Sequence, residues 1–141
     1  MIRKTFLLIS LVAAFSLFSA AQAPPPIPVP IDKEPMHRLK LENEFVRVFD
    51  VLVPVGAASL FHTHVFDGVG IRVSGAQMAD ESIDGTKEEF TTRLGETSFG
   101  SSPEFSHRVI NRGMTDFRTI YIELLPSKGP PLKTTAIAPL T

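Results

Sequence analysis

The chain has 141 residues, no cysteine, and 14 lysines and arginines against 15 aspartates and glutamates, which gives a formal net charge of −1. This length fits one domain with its own hydrophobic core. The charge balance argues against a nucleic-acid-binding protein, which needs a basic excess. The lack of cysteine excludes disulfides, thiolate metal sites and cysteine nucleophiles.

A secretory signal peptide is predicted over residues 1–21. A basic pair precedes an apolar run from Phe6 to Phe18, which is short for a membrane-spanning helix, and small residues follow it. Cleavage is predicted after Ala21, with a second site after Ala23. We therefore expect a periplasmic or secreted protein with no stable membrane insertion after cleavage.

Proline then divides the rest of the chain. The dense run from Pro24 to Pro30 predicts an extended, polyproline-like lead-in over residues 22–38. Four further prolines predict an extended tail over residues 126–141. The folded domain is therefore expected between residues 39 and 125.

The signals within this domain are almost all those of β-strands. Short runs rich in valine, isoleucine and phenylalanine alternate with turn residues every 8–12 positions, which is typical of a β-sandwich or barrel. Asp84-Gly85 predicts a two-residue hairpin between the strands that flank it. Asn111-Arg112-Gly113 predicts a second hairpin, and no segment has a convincing helical pattern.

The histidines carry the chemistry of this sequence. His62 and His64 are two residues apart, so both rings project from the same face of a strand and can chelate one metal ion. His107 is the histidine placed to complete such a site from a distant strand, whereas His37 precedes the folded domain and is expected to be solvated. The alternative is that His62 and His64 are half-buried rings hydrogen-bonded to neighbours.

The surroundings of these histidines resemble the two motifs of the cupin superfamily. The resemblance covers roughly residues 39–125. In the first motif, both glycines and both histidines match; in the second, the glycine, proline, histidine and asparagine match. The two segments are Gly56-AASLF-His62-Thr63-His64-VFD-Gly68-VGIRVS-Gly75 and Gly95-ETSFGSS-Pro103-EFS-His107-RVI-Asn111.

The resemblance implies an all-β jelly-roll barrel, also called a double-stranded β-helix, with a metal ion at its centre. The ligands would be His62, His64 and His107, and the ion one divalent transition metal: Fe, Zn, Cu, Mn or Ni. The glutamate that commonly supplies the fourth ligand in the family is replaced by Gly68. Asp67 is adjacent, but strand alternation places it on the opposite face unless a bulge turns it inward.

Three further residues are candidates for the site. Arg72 shares the face of His64 if strand parity survives the turn before it, and could then bind a substrate carboxylate. If the turn reverses parity, Val69, Ile71 and Val73 face inward and Arg72 is a surface charge; the cost of burying an unpaired charge favours this second arrangement. Tyr121 and Glu123, on one face of the last strand, are the candidates for orienting or acid–base groups.

Two functions fit these features. One is a small metalloenzyme, dioxygenase-like or isomerase-like, that acts on a small oxygenated molecule. The other is a non-catalytic module that binds a small molecule or metal alone. Either way the expected partner is a small-molecule ligand, and the exposed edges of a jelly roll suggest a homodimer.

Overall fold

The computed structural model describes residues 24–101 and 104–126. Ten strands account for most of this part, which contains no α-helix and a single 3₁₀ turn at Ile31–Lys33. The predicted signal peptide and residues 127–141 of the predicted tail lie outside the described residues. The all-β prediction is confirmed, with the following strands: β1 Val29–Pro30, β2 His37–Glu42, β3 Val46–Val53, β4 His62–His64, β5 Gly68–Ser74, β6 Gln77–Ser82, β7 Lys87–Thr91, β8 Thr97–Gly100, β9 Phe105–Asn111 and β10 Phe117–Leu124.

The strands form two five-stranded sheets. The first sheet has the order β1-β4-β9-β6-β7, and the second sheet has the order β2-β3-β10-β5-β8. Every pairing is antiparallel except that of β1 with β4. Strands that are consecutive in the chain therefore often belong to different sheets, and the side chains on the inner faces of the two sheets form one core.

This core is built mainly on β3. Phe49, Val51 and Val53 alternate along the strand and are almost fully buried, together with Met78 of β6 and Phe117 of β10. Because successive side chains of a strand point to opposite faces, Asp50 lies on the outer face, where its carboxylate pairs with the Arg118 guanidinium. The alternation thus fixes which face of the second sheet looks toward the first.

One of the two predicted chain reversals is present, at Asp84-Gly85 between β6 and β7, but the predicted two-residue loop is wrong: Ser82 lies opposite Thr86, so three residues form the loop. Gly85 adopts a φ of +89°, which glycine reaches without steric cost. The hairpin predicted at Asn111-Arg112-Gly113 is wrong, because β9 belongs to the first sheet and β10 to the second. The buried Asn111 side chain fixes this crossover instead: its amide donates to the carbonyls of Val53 and Thr115, and its oxygen accepts from the Gly113 N–H.

The folded domain begins earlier than residue 39. Within the expected lead-in, Ile31 packs into the core with 2% exposure, and β2 already starts at His37. Proline lacks an N–H and is tolerated at the edge of a sheet, which is where β1 pairs with β4. Proline content alone therefore concealed an edge strand and a core residue.

In the part of the chain that the structure describes, we find no helix with the length and apolar character needed to cross a membrane.

Candidate metal centre

Two neighbouring strands of the first sheet bring together the three histidines that the sequence singles out. β4 pairs with β9 so that His62 lies directly opposite His107, and both rings of β4 project into the interior. The Nε2 atom of His64 is 3.1 Å from the Nε2 atom of His62 and 3.1 Å from that of His107. Three imidazole nitrogens thus face one point between the sheets.

His37 joins this cluster, and the prediction that it is solvated is wrong. It is 8% exposed, its ring centroid lies 4.4 Å from that of His62, and its ligand atom lies within 4.8 Å of those of His62 and His64. The physical reason is that β2 pairs with β3 in a register that places His37 opposite the core residue Val51. His37, His62 and His64 therefore form one group of ligand atoms, and His107 joins the cluster through its 3.1 Å contact with His64.

Each of the four rings is held by a hydrogen bond at its other nitrogen, Nδ1. The partners are a carboxylate for two rings, a main-chain carbonyl for one and a hydroxyl for one. Such outer contacts fix ring orientation and tautomer in metal sites. The pairs are His37 with Glu34 at 2.6 Å, His62 with the Leu60 carbonyl at 2.9 Å, His64 with the Tyr121 hydroxyl at 3.1 Å, and His107 with Asp80 at 2.6 Å.

These outer bonds determine which nitrogens carry lone pairs. A carbonyl or carboxylate can only accept, so His62 and His107 must donate from Nδ1, which leaves Nε2 of each ring directed toward His64. Burial lowers the pKa of His62 to about 3 and that of His64 to about 2, so both rings are neutral at pH 7. A single N–H on His64 could satisfy only one of its two neighbours.

A cation would satisfy all three nitrogens at once. Ligand nitrogens about 2.0–2.1 Å from one metal ion are roughly 2.8–3.0 Å apart at neighbouring octahedral positions and roughly 3.3–3.4 Å apart in a tetrahedron. Both observed separations, 3.1 Å, lie between these ranges. The donor set is neutral imidazole, which suits Zn, Cu, Fe and Ni. The residues present therefore fit a divalent transition metal.

Tyr121 fills the space beside Gly68, the residue that stands where the cupin motif commonly has a glutamate. A Cβ atom added at Gly68 would overlap the Tyr121 hydroxyl and Cζ and would lie 2.9 Å from Cε2. Because Gly68 has no side chain, the Tyr121 ring can occupy the space beside it, and the Tyr121 hydroxyl reaches Nδ1 of His64. Burial, together with the charges of Glu123 and Asp67, raises the pKa of Tyr121 to about 12, so the hydroxyl stays protonated.

A cavity of about 190 Å³ opens beside the histidines. Arg72 lines it, so strand parity survives the turn before β5 and the outward orientation favoured from the sequence is wrong. Ile71 and Val73 are instead more than a third exposed. Gly70 makes room for the guanidinium, because a Cβ there would lie 2.6 Å from Nη1 of Arg72.

Among the described residues, no acidic side chain contacts the Arg72 guanidinium directly, and two hydroxyl groups hold it in place. Nη1 donates to Thr119 Oγ1 at 3.0 Å, Nη2 donates to Ser98 Oγ at 3.2 Å, and the group lies over the Phe117 ring. The buried Nε of Arg72 has no hydrogen-bond partner among residues 24–101 and 104–126. Burial lowers the pKa of Arg72, with the Glu96 charge acting in the opposite direction. A cationic group with unused donors thus faces the cavity.

The other predicted site residues lie further from the cavity. Glu123 is fully buried and forms an ion pair with Arg47, and neither residue is among those that line the cavity in the described chain. Burial raises the pKa of Glu123 against the opposing effect of Arg47. Asp67 is likewise not part of the cavity lining; its carbonyl accepts from the Leu124 N–H.

Sequence reasoning missed the two carboxylates that orient histidines. Asp80 on β6 reaches His107 across the strand pair, and nothing in the surrounding segment distinguishes it from a solvated acid. Glu34 precedes His37 by three residues, but the prolines around it placed both residues in the lead-in. A larger open groove of about 980 Å³ lies between Pro24–Ile27 and the β6–β7 turn, away from the histidines.

Comparisons with known proteins agree on the fold. No protein-family model and no curated protein matches the chain. Solved structures do: a cupin domain from Bordetella pertussis is similar with a TM-score of 0.59 and 22% identity, over 71% of this chain and 99% of that one.

Two further solved structures have the same architecture. An RmlC-like cupin family protein with a double-stranded β-helix fold from Methanocaldococcus jannaschii matches with a TM-score of 0.53 and 11% identity, over 84% of this chain and 93% of that one. A conserved double-stranded β-helix protein from Klebsiella pneumoniae matches with a TM-score of 0.53 and 17% identity, over 72% and 84%. The chain therefore has the double-stranded β-helix fold of the cupin superfamily, as its two histidine motifs predict.

Proposed function

We propose that this chain is an exported metal-binding cupin that holds one divalent transition metal through His62, His64 and His107. The observation that carries the proposal is the approach of the His64 Nε2 atom to the Nε2 atoms of His62 and His107, at 3.1 Å in each case. Fe, Zn, Cu, Mn and Ni remain the expected ions. A bound ion would supply Lewis-acid or redox chemistry at the inner end of the cavity.

The cavity fits a small oxygenated anion. Its volume of about 190 Å³ is below the roughly 300–1,000 Å³ of pockets that enclose drug-sized ligands. Arg72 offers a charged donor with no acid bonded to it, and a carboxylate can accept two N–H bonds from a guanidinium. We infer that Arg72, supported by Thr119 and Ser98, anchors a small carboxylate while the histidine end receives its reacting atoms.

The enzymatic form of this proposal is a dioxygenase-like or isomerase-like reaction on that molecule. The alternative is a non-catalytic binding module, and one observation favours it. Tyr121 titrates only near pH 12, and Glu123 is paired with Arg47 outside the cavity lining. Neither of the two predicted acid–base candidates is thus poised to move a proton near pH 7.

Elemental analysis of the untagged protein, purified from the exported fraction without added metal, tests the proposal. We expect about one equivalent of a single transition metal, which is lost in a His62→Ala/His64→Ala/His107→Ala variant. Iron or copper would direct the next assays to oxygen uptake, and zinc or manganese to isomerisation. A protein that takes up no metal even after soaking would refute the metal site.

Export is tested on the same preparation. N-terminal sequencing should begin at Gln22 for cleavage after Ala21, or at Pro24 for cleavage after Ala23. An intact Met1 on protein recovered from the cytoplasm alone would contradict the predicted signal peptide.

A further inference from the structure

We propose that His37 is a fourth ligand of the same ion, and that Glu34 holds it in position. This inference rests on the proposed metal site. In the cupin motif a glutamate commonly supplies the fourth ligand, and this chain has Gly68 at that position. The inference assigns the fourth ligand to His37 instead, on a strand that precedes both histidine motifs.

The position of His37 places a ligand nitrogen at the cluster. Its ligand atom lies within 4.8 Å of those of both His62 and His64, and all three residues are buried. Glu34 engages Nδ1, so Nε2 is the nitrogen left for an ion. His37 reaches this point from β2 of the second sheet, whereas the other three histidines come from the first sheet.

The hydrogen bond at Nδ1 leaves Nε2 as the free end of the His37 ring. The Glu34 carboxylate can only accept, so the proton of this contact is carried by Nδ1 of His37. The ring lines the cavity beside the other histidines and lies next to His62, with ring centroids 4.4 Å apart. Nε2 can therefore bind an ion at the cluster without breaking the contact to Glu34.

Glu34 is fixed behind this ring by three hydrogen bonds. It is 2% exposed; Oε2 accepts from the Met36 N–H at 2.8 Å as well as from His37 Nδ1 at 2.6 Å, and Oε1 accepts from the Leu60 N–H at 3.1 Å. Both carboxylate oxygens are thus held in place, and the contact to Nδ1 fixes the orientation of the His37 ring.

The same carboxylate also orients a second ligand. The peptide N–H of Leu60 donates to Glu34, and the carbonyl of Leu60 accepts from Nδ1 of His62. Glu34 is therefore bonded directly to one ring and connected through one residue to another. The one carboxylate thus fixes His37 directly and supports the Leu60 peptide, whose carbonyl orients His62.

Pulsed electron spin resonance of the exported, untagged protein loaded with Cu²⁺ tests the inference, because it counts the imidazoles coupled to the ion. The chain has only four histidines, so each count can be assigned. We expect four in the native protein, three in His37→Ala and four in Glu34→Gln. Competition with a chelator should show an affinity about 10–100-fold lower in Glu34→Gln and a loss at least as large in His37→Ala.

Arg38→Gln is the matched control, since Arg38 is the exposed neighbour of His37 on β2 and should leave count and affinity unchanged. A count of three imidazoles in the native protein would overturn the inference and leave the proposed metal site intact. The same conclusion would follow if His37→Ala had the imidazole count and Cu²⁺ affinity of Arg38→Gln. If native protein bound no Cu²⁺, both proposals would fail. If His37→Ala did not fold, the number of imidazoles counted in the native protein, four or three, would still decide whether His37 is a ligand.

Discussion

The fit of Tyr121 against Gly68 can be tested by adding one methyl group. In Gly68→Ala, the new Cβ would overlap the Tyr121 hydroxyl and Cζ and lie 2.9 Å from Cε2. Favourable separations between such atoms are about 3.5–4.0 Å, so the ring must withdraw by roughly 1 Å or more. That movement would pull the hydroxyl away from Nδ1 of His64, which it now meets at 3.1 Å.

The expected cost follows from two terms. Overpacking of a well-packed interior costs about 1–3 kcal/mol, and the lost hydrogen bond adds about 1 kcal/mol. We therefore expect the free energy of unfolding of Gly68→Ala to fall by about 2–4 kcal/mol, with a thermal midpoint lower by at least about 8 °C. Urea titration and thermal melting followed by circular dichroism measure both quantities on the metal-free protein.

Gly100→Ala is the control, because Gly100 is the cross-strand partner of Gly68 and a Cβ there would have nothing within 4 Å. Its unfolding free energy should stay within about 0.5–1 kcal/mol of the native value, since it only restricts the unfolded chain. Equal stabilities of the two alanine variants would show that Tyr121 does not fill the space at Gly68, and the account of the missing glutamate would fall with it.

Three other changes have defined outcomes. Asp80→Asn removes the charge behind His107, so Zn²⁺ affinity measured by competition should fall about 10–100-fold, whereas Glu89→Gln on the exposed face of β7 should not change it. Asn111→Ala leaves the Val53 and Thr115 carbonyls and the Gly113 N–H without their partner; urea unfolding should show a loss of about 2–3 kcal/mol, and a loss below 0.5 would contradict the crossover's role. The hydrogen bond from Arg118 lowers the pKa of Asp50 in the folded protein. The pair therefore stabilises the fold fully above about pH 4, the ordinary pKa of an aspartate, and this stabilisation is lost as the pH falls through the pKa of Asp50 in the folded protein. Asp50→Asn should therefore flatten the fall of unfolding free energy between pH 5 and 2, and an unchanged slope would refute that assignment.

The central part of the site was predictable because it depends on strand parity. His62 and His64 share a face in any extended strand, whereas His107 was expected beside them from the resemblance of its segment to the second cupin motif. The all-β fold followed in the same way from short alternating runs separated by turn residues. These features are local, so a single sequence carries them.

The remaining features depend on contacts between residues far apart in the chain. His37 is buried because β2 pairs with β3, which proline-rich composition upstream does not indicate. Arg72 faces inward because two small residues, Gly70 and Ser98, leave room for its guanidinium. Its N–H groups donate to Thr119 and Ser98. These hydrogen bonds lower the free-energy cost of burying the charge, which was the reason to expect Arg72 at the surface. The hairpin at Asn111 failed for a related reason: turn residues indicate a reversal of the chain but not which sheet receives the next strand.

The distribution of the four histidines has a consequence for how the barrel holds together. Three lie on the first sheet and His37 on the second, and the chain has no cysteine with which to cross-link itself. An ion bound by all four would act as the covalent staple that this fold lacks, closing a loop from β2 to β9. Removing the ion would then loosen the two sheets from each other as well as empty the site, and the opening of the interior would depend on the supply of metal.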